Sequence, residues 1–164
     1  MSRSQNGYIL GITRYDDGES TLFSRRRCLA RIMIAFAGLE AEKILRGDFD
    51  NGAQFDLISA NNMVYNMVHN YGMSDGDLEG VLADCLSSQK YLAELDKKKI
   101  EILKKCKIAT RKLLEAHKQD LENLALVLLE KKRLSQEEIY EIIGEPSDEM
   151  ENFLDFAFCD NVIA

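Results

Sequence analysis

The sequence lacks any apolar run of about 18 residues, the length that a membrane-spanning helix needs. It also lacks a charged segment followed by an apolar stretch and small residues, the pattern of a secretory signal peptide. We therefore expect a soluble chain that makes no membrane contact of its own, and the widely spaced cysteines favour the cytoplasm. The 164 residues are 46% hydrophobic and 30% charged, which suits one domain with a hydrophobic core and is too little for two large domains.

The cysteines are widely spaced in the sequence. The four residues, Cys28, Cys85, Cys106 and Cys159, form no C-x-x-C pair. This spacing argues against a zinc ribbon and against a disulfide framework. It predicts buried thiols in a reducing compartment.

Positive charge is concentrated in one segment. Residues 97–118 contain nine basic and two acidic side chains, a net charge of +7, whereas residues 34–96, with three basic and eleven acidic groups, carry −8. The basic segment has no aromatic residue that could stack on a base. We interpret it as a solvated helix face or as the intramolecular complement of the acidic segments, and we expect no nucleic acid partner.

The predicted fold class is mainly α, with a short β-strand near the amino terminus. Residues 7–15 are rich in β-branched and aromatic side chains and precede Asp16-Asp17-Gly18, a turn signal, which predicts the strand. Ser24 is placed to cap the next helix. Residues 28–39 are almost all apolar, so we expect this helix to be the central core helix. Gly38 within it predicts the close approach of another backbone, because the residue costs about 1 kcal/mol relative to Ala.

A second helix follows a turn in which Asp50 or Asn51 is the predicted cap, and Gly72 is its predicted left-handed terminator. Its predicted buried stripe comprises Ala53, Leu57, Ala60, Val64, Met67, Val68 and Tyr71.

A long helix is predicted from about residue 86 to 117, followed by a Leu-rich helix and by a last helix that begins with the capping box of Ser135 and Glu138. The predicted seam of the long helix comprises Tyr91, Leu95, Ile102, Cys106, Ala109, Leu113 and Ala116.

Three motifs occur in a fixed order: IAFAGLEAEKILRG at 34–47, GAQFDL at 52–57 and MVHNYGMS at 67–74. In order and spacing they closely resemble the peptidase domain of FtsH, the ATP-dependent zinc metalloprotease. The resemblance extends over roughly residues 7–144. It implies a helical peptidase-domain fragment whose amino-terminal strand borders the active-site cleft, where an extended substrate could pair with it. The residues alone equally allow an edge strand that merely covers the core.

The resemblance assigns one metal ligand. In the FtsH family the Asp of the Gly-Ala-x-x-Asp-Leu motif is the third zinc ligand, and Asp56 matches it. By composition alone, a carboxylate in the first turn of a helix is favoured by the helix dipole whether or not it has any chemistry. Glu42 matches an acid that, in the family, can hydrogen-bond a zinc-ligand His; without that His we expect it to face solvent or Arg46.

The other parts of the family's machinery are absent from this sequence. There is no His-Glu-x-x-His helix, the source of the other two zinc ligands and the general base, and no G-x-x-x-x-G-K-[ST] phosphate loop of an ATPase. The only histidines, His69 and His117, are too far apart in sequence to replace that helix locally. We predict no catalytic residue in this chain, no hydrolysis of casein-like proteins or ATP by the chain alone, and no zinc bound by it alone.

Two hypotheses follow. In the first, residues 1–146 are the carboxy-terminal part of an FtsH-like peptidase domain, the part after the His-Glu-x-x-His helix, and 147–164 form an acidic tail; the complete enzyme would degrade unfolded or membrane proteins. In the second, the chain is a non-catalytic relative that acts as a scaffold or docks on protease subunits. An adaptor that binds unrelated partners through the basic helix is a weaker third.

The implied partners are protein substrates or FtsH-like subunits, including copies of this chain. The family is membrane-anchored, with its peptidase domain in the cytosol, matrix or stroma.

Overall fold

The structure is a computed structural model that describes residues 2–3, 9–11, 24–82 and 88–145. Five helices account for most of these residues, so the prediction of a mainly α fold is confirmed. The helices are α1 (Arg25–Arg46), α2 (Gln54–Tyr65), α3 (Gln89–Ala116), α4 (Lys118–Lys131) and α5 (Gln136–Ile143). Short 3-10 turns span Asn51–Ala53 and Gly76–Leu78. Two short strands, β1 (Ser2–Arg3) and β2 (Ile9–Gly11), pair antiparallel.

The strand β2 lies within the segment 7–15 that was predicted to be extended. The remainder of that segment lies outside the described residues, as does the acidic tail 147–164. Of the cysteines, Cys28 and Cys106 are buried free thiols, whereas Cys85 and Cys159 also lie outside the described residues. Burial raises the pKa of the Cys106 thiol to about 12.

The helix α1 is the central element of the core. It packs against α2, α3 and α4, and its Cys28 and Ile32 side chains are fully buried. Its amino terminus is capped as predicted, because the backbone N–H of Arg27 donates to Ser24 Oγ (3.2 Å). The hydrophobic core that α1 shares with α2 and α3 comprises Cys28, Leu29, Ile32, Met33, Phe36, Ala60, Val64, Met67, Val68, Leu95, Ile102, Cys106 and Ala109.

The carboxy-terminal helices follow their predicted limits with small differences. Ser88 caps α3, so this helix begins three residues later than the predicted 86, and Ala116 at its end is exposed rather than buried in the seam. The capping box of Ser135 and Glu138 at the start of α5 is confirmed. Among the described residues, no helix is long and apolar enough to cross a bilayer.

The expectation for Gly38 is wrong. It is an exposed position of α1, and within the described residues no atom outside the local helix lies within 4 Å of the place that a Cβ would occupy. Close backbone approach occurs instead at Gly72, where a Cβ would lie 3.1 Å from Gly80 Cα and where φ is +62°.

We predict that Gly38→Ala increases the free energy of unfolding by about 0.5–1 kcal/mol, because alanine loses less backbone freedom on folding and meets no clash here. Gly47→Ala is the matched comparison in the same helix. Gly47 is the left-handed C-cap of α1 (φ +76°), so alanine there should destabilise by about 1–2 kcal/mol. Urea denaturation of both variants measures the two changes in the free energy of unfolding. If both variants were stabilised or both destabilised, the different roles given to Gly38 and Gly47 would be wrong.

Candidate functional site

The candidate site is the turn between α1 and α2 together with the first turn of α2. Gly47 ends α1, and Asp50 begins the 3-10 turn that leads into α2, with Asp50 Oδ1 accepting from the N–H of Gly52 (3.3 Å). Asp50 was one of the two predicted caps, although it caps the 3-10 turn rather than α2 itself. Its backbone N–H donates to Glu42 Oε2 (3.2 Å), which ties the turn back to α1.

Of the two predicted surroundings of Glu42, solvent is found in part, since the side chain is only half-buried, whereas the contact with Arg46 is not found among the described residues. Arg46 pairs with the carboxylate of Asp50 (Nη1 to Oδ2, 3.4 Å) rather than with Glu42. Glu42 instead accepts from the backbone N–H of Asp50, a group that needs an acceptor in this tight turn. Glu42 thus fixes the turn that precedes the candidate metal ligand.

Asp56 lies in the first turn of α2 and is partly buried. It stands four residues before Ala60 and eight before Val64, both of which are buried, so the three positions share the inward-facing row of the helix. The carboxylate therefore occupies the end of the core-facing row, at the edge of the described core. The positive end of the helix dipole favours a negative charge there.

A separate groove of about 450 Å³ lies beside the turn and α2, and Asp56 is not among the residues that line it. The lining residues are Phe49, Asp50, Asn51, Ala53, Gln54, Leu57, Ile58, Asn61 and Asn62.

The structure does not bring either histidine to Asp56. His69 is thirteen residues further along the same helical segment, roughly 20 Å away at 1.5 Å per residue. His117 is exposed at the junction of α3 and α4, where its Nδ1 lies 3.1 Å from Asp120 Oδ2. In the part of the chain that the structure describes, no three His, Cys, Asp or Glu side chains are grouped as a metal site. Asp56 suits zinc as one oxygen ligand, but the described residues around it do not form a complete zinc site.

A π-turn over Asn66–Asn70 ends α2 and was not predicted. It buries His69, and it leaves Tyr71 47% exposed, so Tyr71 is not part of the buried stripe as expected. The imidazole stacks on Tyr65, with ring centroids 4.3 Å apart. Its Nε2 is buried and has no hydrogen-bond partner within the described residues. Burial lowers the pKa of His69; Asp96 on α3 opposes this shift and Lys99 adds to it.

The sequence profile of peptidase family M41 matches residues 3–142. The chain belongs to peptidase family M41. It is 32% identical over 146 residues to the ATP-dependent zinc metalloprotease FtsH of Rhodothermus marinus, covering 82% of this chain and 21% of that protein. It is 31% identical over 142 residues to the ATP-dependent zinc metalloprotease FTSH 10, mitochondrial, of Arabidopsis thaliana, covering 83% of this chain and 18% of that protein.

A third relative, the ATP-dependent zinc metalloprotease FTSH 9, chloroplastic/mitochondrial, of Oryza sativa, is 30% identical over 147 residues. This similarity covers 87% of the chain and 18% of the relative. The chain thus spans about a fifth of the length of the curated relatives that it matches. The predicted resemblance to an FtsH-type peptidase domain is confirmed at the level of the M41 family.

We predict that His69 makes stability depend on pH. Its pKa in the folded chain lies below the ordinary value of 6.5, so the unfolded chain takes up the proton more readily. The contribution is complete above the unfolded pKa and is lost as pH falls below about 6.5 toward the folded pKa. The variant His69→Phe keeps a ring against Tyr65 and should lose less stability than the unmodified chain between about pH 7.5 and 5.5.

Urea denaturation at the two pH values measures this difference. The exposed His117 provides the control, and His117→Gln should retain the pH dependence of the unmodified chain. If His69→Phe lost as much stability on acidification as the unmodified chain, the assignment of His69 as the titrating group would be wrong.

Proposed function

We propose that this chain is the carboxy-terminal part of the peptidase domain of an FtsH-type, ATP-dependent zinc metalloprotease, and that Asp56 supplies one zinc ligand. The observation that carries the proposal is the placement of Asp56. It belongs to the Gly-Ala-x-x-Asp-Leu motif inside the M41 match, and it occupies the inward-facing row of α2 at the edge of the core. A segment packed over that edge would meet the carboxylate directly.

The rigidity of its surroundings supports this role. A metal ligand must be held in a narrow range of positions, and helices hold ligands better than loops do. Here α2 packs on α1, and Glu42 and Arg46 of α1 both bind the turn that starts α2. The first turn of α2 is therefore fixed to the central helix, and Asp56 with it.

The remaining parts of the active site belong to residues outside this chain. In the proposed enzyme, a His-Glu-x-x-His helix supplies two imidazole ligands and the general base, and an ATPase domain unfolds the protein substrate. The partners are then unfolded or membrane proteins as substrates and FtsH-type subunits, including further copies of this chain, with the peptidase domain on the cytoplasmic side. Within this division, 1–146 form the domain part and 147–164 an acidic tail.

The second candidate function is a non-catalytic scaffold or regulator of such proteases. The observation that favours it is that, among the described residues, Asp56 is not part of a group of three or more metal-binding side chains. The reading frame of the source gene distinguishes the two candidates, since only the protease requires the His-Glu-x-x-His and phosphate-loop motifs in the same polypeptide.

We predict that the native protein containing this chain, purified from its source, carries about one zinc per copy and hydrolyses casein when ATP is supplied. Asp56→Asn should abolish both properties, because an amide is a poor replacement for a carboxylate ligand. Asp48→Asn is the control, since Asp48 is an exposed residue of the preceding turn whose carboxylate accepts from the adjacent Phe49 N–H. Zinc content by elemental analysis and casein hydrolysis are the measurements. A native protein that lacks both would support the scaffold function instead.

For the isolated 164-residue chain, we predict no stoichiometric zinc binding tighter than roughly micromolar, about −8 kcal/mol. One carboxylate without imidazole partners lacks the nitrogen donors that zinc prefers. Calorimetric titration measures the affinity. Tight binding that disappeared in Asp56→Asn would show that this chain recruits further ligands, for example from a second copy.

A further inference from the structure

A cationic groove lies between α1 and α3, away from Asp56. Its volume is about 310 Å³, within the range of small-molecule sites. Four basic side chains and one carboxylate line it together with Ile108: Glu40, Lys43, Lys104, Lys107 and Arg111. We call this set the cationic groove.

The helix repeat brings these side chains together. Lys104, Lys107 and Arg111 recur at steps of three and four residues, so they lie on one face of α3. Glu40 and Lys43 are one turn apart on α1, which packs directly against α3. Where the two helices meet, the single hydroxyl hydrogen of Thr110 is shared between the carbonyl oxygens of Cys106 (2.9 Å) and Met33 (3.3 Å). The groove is therefore built on two rigid elements.

Glu40 is the floor of the groove and is almost completely buried, with 1% of its side chain exposed. Its two ionic contacts both involve Oε1, at 3.4 Å from Lys43 Nζ and 3.8 Å from Lys107 Nζ. Charge-assisted hydrogen bonds are usually about 2.7–2.9 Å long, so neither contact is a close one. Among the described residues, the buried Glu40 carboxylate therefore makes no short hydrogen bond. Its oxygens can accept further hydrogen bonds.

Positive charge exceeds negative charge around this carboxylate. Arg111 Nε donates to Glu115 Oε1 (2.8 Å), and Lys43 lies over the Phe49 ring (4.5 Å from the centroid). Lys107 has only the long contact to Glu40, and Lys104 has no ion pair within the described residues. With Glu40 and Glu115 counted against four cations, the groove keeps a net charge of +2. An anion is the complementary ligand.

We propose that the cationic groove binds inorganic hydrogen phosphate. The basic side chains would hold the charged oxygens, and the Glu40 carboxylate would accept a hydrogen bond from the P–OH group. This buried acceptor decides the class of anion. Sulfate has the same shape but no proton at neutral pH, so its oxygen would meet the Glu40 oxygen with two lone pairs facing each other. A site for a nucleic acid backbone would need no such acceptor. The proposal does not depend on the protease function.

The test is calorimetric titration of the purified full chain with sodium phosphate and with sodium sulfate, at neutral pH and constant ionic strength. We expect phosphate to bind at least about tenfold more tightly than sulfate, a difference of about 1.4 kcal/mol. Lys104→Ala and Lys107→Ala should each weaken phosphate binding by about tenfold. The control is Lys112→Ala, an exposed lysine of α3 that does not line the groove, which should change the affinity by less than about twofold.

Glu40→Gln tests the role of the carboxylate. The amide donates as well as accepts, so this variant should bind sulfate and phosphate about equally. If Glu40→Gln does not fold, as judged by circular dichroism, the two exposed lysine variants and the phosphate-to-sulfate ratio of the unmodified chain still decide the question. The proposal is overturned if millimolar phosphate does not bind, if sulfate binds as well as phosphate to the unmodified chain, or if Lys112→Ala weakens binding as much as Lys107→Ala.

Discussion

The burial of α1 between α2 and α3 is the interaction on which the other features of this structure depend. Cys28, Ile32 and Phe36 extend along one side of α1 and form the core with both neighbouring helices. Removing several large apolar side chains of this kind from water contributes on the order of 1.5–3 kcal/mol each. The same helix supports both proposed sites, since its end binds the turn before Asp56 and its Glu40 lines the cationic groove.

Local signals allowed much of the fold to be predicted from the sequence. The cap at Ser24, the capping box of Ser135 and Glu138, and the left-handed Gly72 depend on contacts between residues three to six apart, so their residue types identify them directly. The M41 motifs placed Asp56 on the first turn of a helix in the same way. The Glu42 contact could not be found by this route, because its partner is a backbone N–H that any residue type would offer.

The π-turn shows where periodicity misleads. In a regular helix with 3.6 residues per turn, Tyr71 would lie on the same buried face as Val64 and Met67. One wider turn at Asn66–Asn70 rotates the following residues, so His69 moves inward and Tyr71 moves out. No residue type in this segment signals the wider turn, since its hydrogen bonds are formed by the backbone. The prediction for Gly38 was wrong for a related reason. A glycine in a helix indicates close packing only where another backbone lies against it, and the local sequence does not show whether one does.

Two carboxylates on neighbouring helices illustrate the constraint that charge places on such a core. Burial of an unpaired carboxylate costs several kcal/mol, so a folded chain must either leave the group at an edge or provide cations. Asp56 is partly buried, at the helix end whose dipole favours a negative charge. Glu40 is almost completely buried, with Lys43 Nζ 3.4 Å and Lys107 Nζ 3.8 Å from its Oε1. In the proposed enzyme a further segment would meet Asp56 at this edge, whereas the lysines around Glu40 create a surface with more positive charge than one carboxylate neutralises.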